Sequence, residues 1–158
     1  MKYWLFIVAF MVSISNYAQK TKVDLNSYNF QEIEQLQKKA PKPVVIFLYT
    51  DWCKICFGMK KNTFQNPEVI KKLNEDYYFI LFNGEEKENI TFLGKTFSYQ
   101  PSGNSGMHEL AKQLTISEKR TSYPTTIILN TNYEIDLLID GYLNAKKLTS
   151  ILNKYLKH

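Results

Sequence analysis

The chain is poor in the side chains that build metal sites and multiple cross-links: its 158 residues include two cysteines, Cys53 and Cys56, and two histidines, His108 and His158. Neither histidine lies at a ligand spacing from the cysteines. A zinc site, which as a rule needs four ligands, would therefore have to recruit carboxylates. Phe57, not histidine, follows Cys56, which excludes covalent attachment of a c-type haem. Long apolar runs are also missing. The run from Tyr3 to Val12 is well short of the roughly 20 residues a bilayer-spanning helix needs, and no cysteine follows it to carry a lipid anchor. Positive charge is not massed: the formal net charge is +5, with lysines scattered through helical patterns. A nucleic-acid surface would want a concentrated basic face with interleaved aromatics. No repeat, low-complexity tract or internal linker interrupts the chain.

What is present suits one domain with a real core, long enough to fold without cross-links. The opening "MKYWLFIVAFMVSISNYAQK" places Lys2 before an apolar run, then small and polar residues leading to Ala18. That layout is a secretory signal peptide. The expected division is a signal at 1–18 and a single domain at 19–158, exported, and periplasmic in a Gram-negative host. The rival is an uncleaved anchor using residues 3–15, which N-terminal sequencing would reveal.

Apolar residues at Phe30, Ile33 and Leu36 predict a helix from Asn29 to Lys39, capped by Asn29 with Glu32 and ended by Pro41 and Pro43. "VVIFLY" (44–49) and "YYFILF" (77–82) read as strands buried on both faces. Between them, one helix opens at the cysteine pair and runs to about Thr63, and another starts at Asn66-Pro67. Strand, helix, strand implies a parallel pair. Residues 83–106 break the rhythm, with a small hairpin around Gly94-Lys95 and a loop, "QPSGNSG", after it. Met107 to Leu114 reads as a further helix, with His108 an exposed polar residue near its start. Thr125–Leu129 and Glu134–Ile139 predict two antiparallel strands, and Asn144 caps a last helix carrying Leu148, Ile151, Leu152 and Tyr155. The class is α/β: a central mixed sheet with helices on both faces and a hairpin and loop insertion at about 83–106.

The pair Cys53-Lys54-Ile55-Cys56 sits directly after an apolar strand, at a helix start. As a structural staple it is weakly motivated, because in the chain-entropy model the stabilisation from a bridge grows with the loop it closes, and this loop is very short. A redox role has a positive physical case. The thiolate is the reactive form, and a free cysteine with a pKa of ~8.5 is mostly protonated at neutral pH. At a helix N-terminus, unpaired N–H groups and the positive end of the dipole favour the thiolate, and Lys54 adds a neighbouring cation. Cys53 is then the exposed nucleophile, and Cys56, one turn further in, the resolving thiol.

The apolar strand, the aromatic-x-x-Trp-Cys-x-x-Cys of "YTDWCKIC", and Tyr123-Pro124-Thr125 before a later strand resemble the thioredoxin-fold thiol–disulfide oxidoreductases. The likeness runs from Val44 to Leu156. In particular "YTDWCKIC" looks like the C-terminal periplasmic domain of the transmembrane disulfide reductase family and like related exported single-domain proteins. The resemblance implies a thioredoxin-like fold, catalytic Cys53 and Cys56, and a substrate surface made by Trp52, Tyr123 and Pro124. It also implies a cis Tyr123–Pro124 bond, a geometry adopted by only about 5–6% of X-Pro bonds in folded proteins. The backbone of Tyr123 would then be free to pair with an extended substrate. No cofactor is implied. The partners are protein thiols and disulfides and a membrane or periplasmic electron donor, with no metal or nucleic acid, and the chain is expected to be a monomer.

Two departures matter: Phe47 occupies the position where thioredoxins keep a buried carboxylate, and Lys60 the position where the periplasmic domains keep an acid. Asp51 is expected to face solvent. Phe92, Phe97 and Tyr99 are expected to pack the insertion on the core; a sharper reading makes the insertion a wall beside Cys53. The expected activity is that of a reductase or isomerase. The alternative is a binding or chaperone module whose disulfide stays closed.

Overall fold

The computed structural model describes residues 23–103, 105–116 and 120–156. The expected signal at 1–18 and His158 lie outside these residues. Helix α1 (Phe30–Lys39) starts in a reciprocal cap: the Glu32 N–H donates to Asn29 Oδ1 at 2.8 Å, and the Asn29 N–H donates to Glu32 Oε2 at 2.7 Å. Strand β1 (Val44–Tyr49) leads into α2 (Lys54–Asn62), then α3 (Pro67–Asp76), capped by Asn66 with Pro67 in its first turn. Strand β2 (Tyr78–Asn83) follows, then the insertion with β3 (Ile90–Phe92), β4 (Lys95–Phe97), β5 (Tyr99–Ser102) and β6 (Ser105–His108). Helix α4 (Glu109–Leu114), strands β7 (Thr125–Leu129) and β8 (Ile135–Asp140), and helix α5 (Ala145–Tyr155) complete the order.

The central sheet has the order β2-β1-β7-β8. β1 runs parallel to β2, with Val44 opposite Tyr78 and Tyr49 opposite Asn83, and antiparallel to β7. Being central, β1 sends alternate residues into two cores. Val44, Ile46 and Leu48 join Phe30 and Ile33 of α1 and Leu110 and Leu114 of α4. Val45 and Phe47 join Met59 of α2, Leu73 of α3, and Leu148 and Leu152 of α5, in the cluster that also holds both cysteines. Burying each such side chain contributes about 1.5–3 kcal/mol. The mixed sheet between two helical layers is the expected thioredoxin-like architecture.

The insertion differs in detail from the expectation. The β3–β4 hairpin is present and turns through Leu93 and Gly94, both at positive φ (53° and 74°), a two-residue turn that matches strand twist. Its Phe92 and Phe97 are buried, with the Phe92 ring 5.0 Å from that of Phe30. The stretch expected to be a loop is instead a second hairpin, β5–β6, pairing Gln100 with Met107 and Pro101 with Gly106. It is largely exposed, so it carries no apolar alternation to announce itself in sequence. Met107 consequently lies in β6, and α4 begins two residues later than expected. His108 is not an exposed polar residue but a fully buried one. Its Nδ1 accepts the Leu110 N–H at 3.2 Å to cap α4, while Nε2 lies 3.2 Å from the Glu88 carbonyl.

Candidate functional site

The site forms where the carboxyl ends of parallel strands β1 and β2 meet the turn before β7. Leaving β1, the chain turns through Thr50–Trp52, with the Cys53 N–H donating to the Thr50 carbonyl at 3.2 Å, and enters α2. Cys53 is the N-cap of that helix. Its sulfur accepts the Cys56 N–H at 3.1 Å, so one unpaired donor of the helix terminus points at it. Cys53 and Cys56 form a disulfide with an S–S length of 2.00 Å and a Cα–Cα distance of 5.2 Å. Cys53, expected to be exposed, is instead buried at 6% exposure under the disulfide, and Cys56, at 1%, is buried as a resolving thiol should be. A disulfide so placed can accept two electrons to give a dithiol whose first sulfur sits in the favourable field of a helix start.

Around this nearly buried pair the surface is apolar and open: Trp52 is 65%, Ile55 56% and Phe57 66% exposed. Lys54 is exposed beside them. From the turn before β7, Tyr123 packs against the cluster containing both cysteines. The Tyr123–Pro124 bond is cis, the geometry that the resemblance implies. Tyr123 meets Trp52 edge to face, with ring centroids 5.9 Å apart at 88°. Trp52, Cys53, Cys56 and Tyr123 therefore come together from separate elements; the buried Pro124 follows Tyr123 in the chain, and Lys54 is exposed next to Cys53.

The layer below is aromatic and aliphatic. Phe47 is fully buried, its ring 4.8 Å from that of Phe64, which in turn lies 4.9 Å from Phe79. Among the described residues no Asp or Glu is buried, so no buried carboxylate serves Cys56. Lys60 places its Nζ 3.0 Å from the Tyr49 ring centroid. Burial pulls its pKa below the ordinary lysine value, and the charge of Asp51 opposes that. Asp51 is exposed, as expected, and accepts the Asn83 amide at 3.1 Å. Among the described residues no cluster of three or more His, Cys, Asp or Glu is arranged to hold a metal.

Three residues at the site carry no local signal in the sequence: Asn83, which ends β2, and Gly84 and Glu85, which follow it. Glu85 Oε1 accepts the Trp52 indole N–H at 3.1 Å, and the Glu85 N–H donates to Asn83 Oδ1 at 3.0 Å. Gly84 is tied to Tyr49 and His108 by backbone bonds of 2.8 Å, and a methyl group on it would overlap the Tyr123 ring. The signal that could have found them is positional, because sites in sheets of this kind gather at the carboxyl ends of parallel strands. Tyr123's hydroxyl is buried with no hydrogen-bond partner among the described residues. Its pKa is pushed up to about 12, first by burial and then by the charge of Glu85.

The model of the thioredoxin-like domain family matches residues 30–156. The chain belongs to that family. Its thioredoxin-like domain is similar to solved structures across nearly its whole length. One titled DsbH oxidoreductase superposes with a TM-score of 0.62 at 17% identity, covering 94% of this chain and 98% of that one. A thioredoxin from Thermus thermophilus gives 0.58 at 15% identity, over 84% and 87%. At these identities the likeness speaks to the fold. In sequence, the chain is 34% identical over 79 residues to the thiol:disulfide interchange protein DsbD of Vibrio vulnificus. That match takes in 48% of this chain and 13% of the relative, so the chain spans only a small part of that protein's length.

Proposed function

We propose that the protein is an exported thiol–disulfide oxidoreductase acting on protein substrates, as a reductase or isomerase. The observation that carries this reading is the disulfide closed across the first turn of α2, with Cys53 as N-cap and Cys56 a turn deeper. In the reduced form the Cys53 thiolate attacks one sulfur of a substrate disulfide. An S–S bond forms between them and the other substrate sulfur leaves as thiolate. Cys56, after losing its proton, attacks Sγ of Cys53, re-forming the internal disulfide and expelling the second substrate thiolate. Two electrons pass to the substrate, and a dithiol donor at the membrane or in the periplasm restores the pair. In an isomerase cycle the substrate's own thiol resolves the mixed disulfide instead.

Trp52, Tyr123 and Pro124 form the substrate surface in this reading, and Lys54 assists the thiolate. The exposed Trp52, Ile55 and Phe57 suit an apolar protein segment better than a small polar disulfide. Similarity to a protein named for thiol:disulfide interchange supports the same class of reaction. Export rests on the layout of residues 1–18, and a mature N-terminus at Gln19 would bear it out. The decisive assay is insulin reduction under dithiothreitol. The wild-type chain accelerates it, Cys53→Ser does not, and Cys56→Ser accumulates a mixed disulfide at Cys53. Wild type and Cys53→Ser behaving alike would leave the closed-disulfide binding module as the better description.

A further inference from the structure

We infer that Glu85, from the segment between β2 and β3, is a positioning residue that fixes Trp52 and so makes the insertion one wall of the substrate surface. The inference rests on the redox reading above and adds to it which residue sets selectivity. Trp52 is largely exposed, and an exposed side chain ordinarily samples several rotamers. Here two directional contacts restrain it. Its indole N–H donates to Glu85 at 3.1 Å, and its ring stands edge-on to Tyr123. A hydrogen bond to a charged acceptor is stronger than a neutral one, so the carboxylate is an effective tether.

Glu85 is itself held. Its N–H donates to Asn83 Oδ1, and the Asn83 amide donates to Asp51, the residue before Trp52. The adjacent Gly84 donates to the Tyr49 carbonyl and accepts from the His108 N–H, tying this corner to both β1 and the end of the insertion. The same glycine leaves room for the Tyr123 ring, whose hydroxyl feels the Glu85 charge. One corner of the insertion therefore holds both aromatic side chains that flank Cys53: Trp52 from the motif turn and Tyr123 from the turn before β7. A preorganised aromatic wall reduces the side-chain ordering that binding a protein segment requires, a cost a small disulfide hardly meets.

The test uses the full chain with two substrates, insulin and bis(2-hydroxyethyl) disulfide, and compares kcat/KM on each. Glu85→Ala is expected to lower the insulin-to-small-disulfide ratio several-fold, through KM for insulin. Glu85→Gln, whose amide oxygen still accepts the indole N–H, keeps the ratio within about twofold of wild type. In a Trp4→Phe background, acrylamide quenching of Trp52 rises in Glu85→Ala and not in Glu85→Gln. An unchanged ratio in Glu85→Ala, or an equal loss in both variants, overturns the positioning role. A wild-type chain inactive on both disulfides would instead strike down the redox reading on which the role rests.

Discussion

The buried layer that holds the disulfide and the rim around it are built from opposite materials. Below are Phe47, Phe64, Phe79 and Met59, with no acid among them. Around the pair, Asp51, Glu85 and Lys60 are drawn into directional contacts with Asn83, Trp52 and Tyr49, and Trp52, Ile55 and Phe57 lie open. An apolar layer fixes position by packing but offers no group to exchange a proton. A polar rim adds little to stability, yet it is the surface that a partner nearing the sulfur would meet. The expectation is a separation of effects, with changes below read as stability and changes around the pair read as kinetics toward a partner.

Phe47→Ala should show the largest loss, about 3–5 kcal/mol by urea denaturation of the oxidised protein, because a fully buried ring leaves a cavity. Its KM for insulin should stay near wild type. Gly84→Ala comes next, at about 1–3 kcal/mol, since the new methyl group displaces the Tyr123 ring. Being at the join of the two regions, it should also raise KM for insulin, and a change confined to either readout would break the comparison there.

A smaller, pH-dependent effect comes from His108. Burial lowers its pKa from the ordinary 6.5, opposed by the Glu88 carbonyl and by the charges of Glu86 and Glu109. The folded state thus favours the neutral ring, whose Nδ1 caps α4. The unfolded chain binds the proton more readily, so this contribution is complete above 6.5 and declines as pH falls from there towards the lowered folded value. Tm measured against pH should show that decline, and His108→Asn, which retains a cap, should flatten it. Trp52→Ala should move stability least, within about 0.5 kcal/mol, while raising KM for insulin. A KM effect in Phe47→Ala as large as in Trp52→Ala would erase the distinction.

The elements with strong local signals were legible in the sequence. Asn29 with Glu32, Asn66 with Pro67, the apolar β1 and the Thr125–Leu129 strand all lie where pattern and capping chemistry put them. The cysteine pair was legible because strand, tryptophan and helix start are contiguous in the chain. The β5–β6 hairpin was not, because an exposed ribbon containing Pro101 and Gly106 needs no apolar period. The burial of His108 was not legible either, because it comes from Phe82 and the Glu88 segment, both distant in sequence. Glu85 was invisible for the same reason: its partner Trp52 arrives only once β1 and β2 pair.

The cap at Cys53 determines how the active pair should be probed. Its sulfur accepts the Cys56 N–H, so the atom proposed to react also begins the helix. Serine is among the preferred residues for starting a helix and alanine is not, a difference of about 1 kcal/mol. Cys53→Ser therefore removes the chemistry and leaves the architecture standing, whereas Cys53→Ala removes the chemistry and also weakens the helix start. A serine variant that folds like the wild type and fails only at exchange isolates reactivity from scaffold in a single atom.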